Sequence, residues 1–375
     1  MSVPKYDVVI VGAGIVGAAC ADEFTRCGMS VAVVERDVVG GGATAAGMGH
    51  IVVMDDSEAQ FALTRYSQRL WQTLRPELPS DLEYEQCGTI WVAVDEEELV
   101  EVKRKHDYYA QRGVSTTVLN AQALKRLEPN LRDGMAGGLL VPEDAVLYPP
   151  CAARFLMERA QKRGAQFLHG LVSEIGQGRV AMSDGLEIAG AILVNATGAW
   201  APELAREIDI KKRKGHLVIT DRYPEFLRHQ LVELGYLKSA HSISSDSVAF
   251  NVQPRRTGQI LIGSSRQYGA EQKDVDHDIL RRMLQRAQEY MPGLGSMSAV
   301  RTWTGFRAAT PDKLPLIGPT PGDKSLFLAT GHEGLGITTS LATARILVDA
   351  ITGAKPEISI EPYLPSRTAK EHAHA

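Results

Sequence analysis

Apolar positions along this chain fall into two spacings. Uninterrupted, β-branched runs at residues 7–11 (DVVIV), 31–34 and 191–196 (AILVNA) predict strands buried on both faces, as in parallel sheets. Longer stretches of helical spacing predict helices over 15–27, 58–74, 96–112, 149–163, 276–290 and 337–351. Gly28 is placed to stop the first of them. Residues 89–94 and 326–330 predict further strands, and 138–146, 216–220, 248–252 and 259–263 predict strands of a second sheet. The first three segments, 7–11, 15–27 and 31–34, make one βαβ unit of about 30 residues. The antiparallel-looking strands lie in two middle blocks, so the pattern predicts two interwoven domains with the chain crossing between them several times.

Composition changes this picture little. A chain of 375 residues suits two joined domains, and 44% apolar with 23% charged residues is ordinary for a globular protein. The net charge of −4 comes from well-mixed signs, which argues against a nucleic-acid partner, and the basic run at 211–214 (KKRK) reads as a solvated turn. Cys20, Cys27, Cys87 and Cys151 form no C-x-x-C pair and have no histidine at ligand spacing, so neither a metal nor an iron–sulfur centre is expected within the chain. No apolar run has membrane-spanning length and no leader is evident, so a cytoplasmic protein is expected, with peripheral attachment through partners left open.

The glycines carry the first chemistry. Gly12, Gly14 and Gly17 form G-x-G-x-x-G between a predicted strand and a predicted helix, and Glu35 ends the next strand 18 residues past Gly17. Gly12 allows the tight turn, Gly14 the approach of a pyrophosphate and Gly17 the close packing of helix on strand. The helix start at Ile15 and Val16 offers amides and a positive dipole end to phosphate. Glu35 would accept from ribose hydroxyls and repel a 2′-phosphate, which disfavours NADP. A second Gly-rich run, 40–49, has no bulky side chain before Met48, and TGHEGLGITTS (330–340) repeats the strand, Gly-rich turn and helix order. Both features favour FAD over NAD, because a flavin needs a second close backbone approach and a helix start near its pyrimidine edge.

GAGIVGAACADEF, ATGAW (196–200) and GFRAATPDKLPLIGP followed by FLATGHEGLGITTS together resemble the D-amino-acid oxidase superfamily, from Tyr6 to about Pro362. AAGMGH and TGHEGLGITTS are similar to the FAD-bearing β subunits of heteromeric bacterial dehydrogenases, among them D-hydroxyproline dehydrogenase, opine (octopine or nopaline) oxidase and hydrogen cyanide synthase. The resemblance implies an α/β fold. A Rossmann-like FAD domain of the GR2 type (1–80, 146–212 and 300–365) would interweave with an α+β substrate domain on a large, mostly antiparallel sheet (81–145 and 213–299). A flexible tail would follow at 366–375. It also implies oxidation of a C–N bond to an imine by hydride transfer to flavin N5. With the motifs above, the predicted cofactor shell adds Arg36, Gly42, Ala43, Thr44, Gly47, Met48 and Gly49. It also adds Val172, Thr197, Gly198, Gly305, Gly331, Gly334, Leu335, Gly336, Ile337 and Thr338. The cysteine that tethers FAD in some sarcosine oxidases has no counterpart in the stretch from Gly305 to Asp312, so non-covalent FAD is expected. Their carboxylate-gripping lysine is also missing, since Leu335 and Gly336 follow the GHEG segment.

Arg307 is the first candidate to take over that carboxylate, as a bidentate clamp, unless it pairs structurally with Asp312 or a backbone carbonyl. His50 is a candidate to receive an amine proton or shape the pocket, or a histidine bonded to backbone. His332 and Glu333 are candidates for substrate contact or for anchoring the flavin loop. Tyr148, Tyr268 and Trp303 are candidate pocket walls. The leading expectation is the β subunit of a D-hydroxyproline dehydrogenase, with partner subunits supplying an iron–sulfur centre or a second flavin. The FAD-bearing chain of an opine oxidase and a glycine or sarcosine oxidase-like enzyme are the alternatives, and a non-catalytic electron-transfer subunit is the reading from another class.

Overall fold

The computed structural model describes residues 3–235 and 246–368. Two eight-stranded sheets organise them. In the first, Lys5–Val11 lies centrally, flanked in parallel by Glu187–Asn195 and Val31–Glu35. Leu326–Thr330 and Gln166–His169 extend the parallel set on either side, and Leu316–Pro319 adds an antiparallel edge. Alternation along one strand sets the two faces. Val8 and Ile10 pack against the helices Ile15–Arg26, Pro149–Lys162 and Gly336–Thr352. Val9 and Val11 pack beneath a meander that runs through Val172–Gly176 and Arg179–Met182. Strands covered on both sides need apolar residues at every position, which is why these runs stood out in the sequence.

The second sheet runs in the order Ala299–Ala309, Lys211–Thr220, Ile260–Arg266, Ser247–Pro254, Gln230–Glu233, Thr89–Ala93, Gly137–Val141 and Thr117–Asn120. It is antiparallel except between Gln230–Glu233 and Thr89–Ala93. One face carries the helix His277–Tyr290, whose Tyr290 ring stacks on Phe250 at 4.3 Å. The other face borders the cavity described below. A two-stranded ribbon, His50–Ile51 with Ala145–Val146, joins the two layers.

Helices 58–74 and 149–163 form as expected, to within a residue. Ser57 Oγ accepts from the Gln60 N–H at the start of the first, a side-chain cap that fixes where it begins. Four expectations are corrected. The single strand at 138–146 is two, because the chain turns at Pro142, Glu143 and Asp144 and Ala145–Val146 pairs with His50–Ile51. The basic run at 211–214 is the start of the strand Lys211–Thr220, with Arg213 and Lys214 buried rather than solvated. The seams placed at 212/213 and 299/300 both cut through strands of the second sheet, since Lys211–Thr220 pairs with Ala299–Ala309 over its whole length. The tail is bound further than expected. Arg367 Nε pairs with Asp312 at 2.7 Å, and positions 369–375 lie outside the described residues.

Candidate active site

A cavity of about 620 Å³ runs along the interface between the two sheets. At one end it is bordered by Gly12, Gly14, Ile15, Val16, Glu35, Arg36, Val172, Thr197 and Gly198. Gly12 has φ +103°, and a Cβ there would lie 2.7 Å from the Ala196 carbonyl oxygen. A Cβ on Gly17 would lie 1.9 Å from the Gly12 carbonyl oxygen, so the helix seats on the turn only without a side chain. The Glu35 carboxylate braces the loop through the Ala13 N–H at 2.7 Å and the Asp37 N–H at 2.9 Å. The Ile15 N–H donates to Thr44 Oγ1 at 3.0 Å, so one helix-start amide expected at the phosphates already has a partner in the chain. Arg36 lies over the Trp200 ring, 4.7 Å from its centroid. This backbone cradle, with a carboxylate at the ribose position and a helix start beside it, fits a dinucleotide.

The middle of the cavity is built by close contacts between glycines and small side chains. Gly42, Ala43 and Thr44 open the short helix Gly42–Ala45. A Cβ on Gly47 would lie 2.6 Å from Ile337, one on Gly49 2.0 Å from the Leu147 carbonyl, and one on Gly305 2.3 Å from the Ala46 Cβ. The turn Gly331 (φ +77°) to Leu335 leads into the helix Gly336–Thr352. Thr338 Oγ1 donates to the His50 carbonyl at 2.7 Å, and Thr330 Oγ1 donates to the Gly198 carbonyl at 3.0 Å. Gly334 and Gly336 border the cavity at the helix start, and Met48 accepts from Gln253 Nε2 at 2.7 Å through its carbonyl. Both Gly-rich runs and the C-terminal helix start thus meet at one place, as the FAD reading requires.

At the far end the substrate-side sheet supplies the polar groups. Arg307 donates through Nη1 to the Ser265 carbonyl at 2.8 Å. Its guanidinium lies flat over Gly215, where a Cβ would come within 2.7–2.9 Å of it. Asp312, the alternative partner for Arg307, is held by Arg367. Behind Arg307, the buried His216 ring links Ser265 Oγ (2.9 Å, Nδ1) to the Asp276 N–H, which donates to Nε2 at 3.0 Å. Burial and the Lys214 charge hold the His216 pKa down at about 4. His50 borders the cavity on the ribbon; burial, with the Arg307 charge second, lowers its pKa to about 4, so the ring is neutral at neutral pH. The Glu333 carboxylate is taken by Arg213, which also donates to the Tyr268 hydroxyl at 3.0 Å. His332 borders the cavity and is held by Thr343 Oγ1, 3.0 Å from Nε2, and burial lowers its pKa to about 3.

A family model described as FAD dependent oxidoreductase, DAO, matches residues 7–350. The chain belongs to this family. Among curated relatives it is 30% identical to the glycine oxidase of Pseudomonas aeruginosa, over 96% of this chain and 98% of that one. It is 28% identical to the hydrogen cyanide synthase subunit HcnC of the same organism, over 98% and 97%. Among solved structures it superposes on glycine oxidase from Geobacillus kaustophilus with TM-score 0.87 at 25% identity, covering 97% of this chain and 99% of that one. The chain is accordingly an FAD-dependent oxidoreductase of amines or amino acids. No helix among the described residues is long and apolar enough to cross a membrane.

For a DAO-family enzyme the substrate end is the informative part, and much of it carried no local signal. Trp91, Gln230, Val232, Asn251, Ser264 and Arg266 border the cavity from the second sheet, together with Leu217 and Gly215. None belongs to a motif; each is brought in by strand register. The aromatic walls are Trp91, Trp200 and Phe306, not Tyr148, Tyr268 or Trp303. Tyr148 is exposed, Tyr268 is spent on Arg213, and Trp303 packs against Met48, Leu217 and Leu261. Nothing local in the sequence indicates which face of each strand turns inward.

Proposed function

We propose that the chain oxidises the C–N bond of a small cyclic amino acid carrying a hydroxyl, with cis-4-hydroxy-D-proline as the leading substrate. The same reading makes it the FAD-bearing chain of a heteromeric dehydrogenase. The observation that carries the amino-acid reading is the Arg307 guanidinium, laid flat on Gly215 at the end of the cavity beyond the Gly-rich loops. A planar guanidinium matches a carboxylate bidentately and would fix the α-carbon of the substrate. When bound, the flavin accepts the hydride that leaves this carbon. Among the chain's own groups, the neutral His50 ring at the cavity wall offers a hydrogen-bonding nitrogen to the amine. The hydroxyl is supported by Gln230, Asn251 and Ser264, each of which keeps a buried side-chain oxygen without a hydrogen-bond partner among the described residues. Buried polar atoms ordinarily find partners, and a substrate hydroxyl supplies one that glycine lacks.

The heteromer is supported by the HcnC relative, which is named as one subunit of its enzyme. A glycine-oxidase-like enzyme is the second reading, favoured by the 30% identity to glycine oxidase, and opine oxidation is the third. Anaerobic addition of each amine to the FAD-loaded protein separates them. Bleaching of the flavin band with cis-4-hydroxy-D-proline is expected. Bleaching with glycine or sarcosine alone moves the assignment to the second reading, and bleaching with octopine alone to the third. Arg307→Ala should lower kcat/KM by roughly a hundredfold, the loss of a charge-assisted pair. Unchanged turnover would point to an electron-transfer role.

A further inference from the structure

Arg213 and Arg307 face each other directly across the ladder between Lys211–Thr220 and Ala299–Ala309, and both border the cavity. Like charges directly opposite one another on a sheet repel. Glu333 supplies the counter-charge. Its carboxylate pairs with Arg213 Nη2, and the Tyr268 hydroxyl accepts from Nη1. The pair is buried, with side chains 6% and 12% exposed. Glu333 reaches it from the flavin loop by adopting φ +54°, a conformation that non-glycine residues enter only when their surroundings hold them there. The Glu333 N–H is pinned to the Ala308 carbonyl at 2.9 Å. One internal carboxylate therefore stands on one of two adjacent guanidinium groups.

We infer that Glu333 fills a second anion subsite, so that the pocket takes amino acids with one carboxylate and turns away imino-dicarboxylates, in which the nitrogen carries a second carboxyalkyl arm. The inference rests on the reading of Arg307 as the substrate-carboxylate clamp. Removing the Glu333 charge takes away the carboxylate that Arg213 pairs with here, so an incoming carboxylate can stand in its place. Arg266 borders the same cavity and is unchanged in every variant considered.

The test is calorimetric titration of the FAD-loaded protein with acetate and with malonate, which needs no turnover. The wild type should bind malonate no more tightly than acetate. In Glu333→Gln the ratio of malonate to acetate affinity should rise roughly ten- to hundredfold, the worth of one charged hydrogen-bonded pair. In Glu333→Gln/Arg213→Met it should return to the wild-type ratio. Should Glu333→Gln lose FAD, Glu333→Gly serves instead, because glycine adopts the positive φ freely. An unchanged ratio in the single variant, a gain that survives loss of Arg213, or a wild type that already prefers malonate overturns the inference. A wild type that binds acetate but is reduced by no amino acid sinks the proposed function and leaves this subsite standing. Failure of both acids to bind any variant sinks both.

Discussion

Gly215 shows how much of this site rests on one missing side chain. The Arg307 guanidinium occupies the space a Cβ would need, and Gly215 is not in a left-handed conformation, so alanine is sterically excluded by the arginine alone. Gly215→Ala should leave the fold intact, since the flexible end of Arg307 can move aside. The displaced guanidinium would no longer meet the substrate carboxylate. KM for the amino acid should rise roughly ten- to hundredfold, with a smaller change in kcat. Steady-state kinetics beside a thermal melt check this: equal losses in melting temperature and in kcat would mean that Gly215 serves packing instead. His216 and Ser265 act on the same guanidinium at one remove, as positioning residues. The Ser265 carbonyl accepts from Arg307, and the neutral His216 ring ties the Ser265 hydroxyl to the N-cap of the helix His277–Tyr290.

Between elements, a second contact that joins the two layers is the strand Ala299–Ala309 lying on the Gly-rich run. A Cβ at Gly305 would come within 2.3 Å of the Ala46 Cβ, with backbone on both sides and no flexible end to yield. Gly305→Ala should destabilise the protein by about 1–3 kcal/mol through overpacking and weaken FAD retention. Moving the methyl group instead of adding one, in Gly305→Ala/Ala46→Gly, should restore much of both. Urea unfolding and quenching of flavin fluorescence check this, and a double variant no better than the single would show that the contact is not the cause. Elements of this kind were unequally legible in the sequence. The strands 7–11 and 31–34, the glycine motif and the helix 58–74 were readable because each announces itself locally, by an unbroken β-branched run, by glycines at fixed spacing or by apolar residues at helical spacing. Gly215, Asn251 and Gln230 were not, because only register across a distant strand turns them toward the cavity. Arg213 and Lys214 were misread for a physical reason: a run of four basic residues predicts solvent unless a buried carboxylate such as Glu333 waits across the domain interface.

For the molecule as a whole, the buried titratable groups fix how stability responds to pH. Burial holds His50 and His216 at about 4 and His332 at about 3, each below its ordinary 6.5. Such a histidine is neutral in the fold and takes up a proton on unfolding, so each one makes stability fall as pH drops below 6.5. For His216 the reason is visible in the bonding, since Nε2 accepts from the Asp276 N–H and a protonated ring would set two donors against each other. Asp144 works in the opposite direction. It is buried where the Val53 N–H and Gln68 Nε2 reach its carboxyl, and burial raises it to about 7. It therefore holds a proton in the fold that it releases on unfolding, and its contribution is lost as pH rises from about 4 through 7. Near pH 5 the three histidines gain three protons on unfolding and Asp144 loses one, leaving a net uptake of two. These four groups should give a stability slope of at most about 2.7 kcal/mol per pH unit there, flattening to a plateau above about pH 7.5. Urea unfolding of the FAD-free chain at half-unit steps from pH 4.5 to 8 measures the slope directly. His216→Asn, which removes one titrating group while leaving the other three, should cut the slope near pH 5 by about half. A slope unchanged by that substitution would mean that His216 is already protonated in the fold, and the neutral clamp behind Arg307 would have to be abandoned.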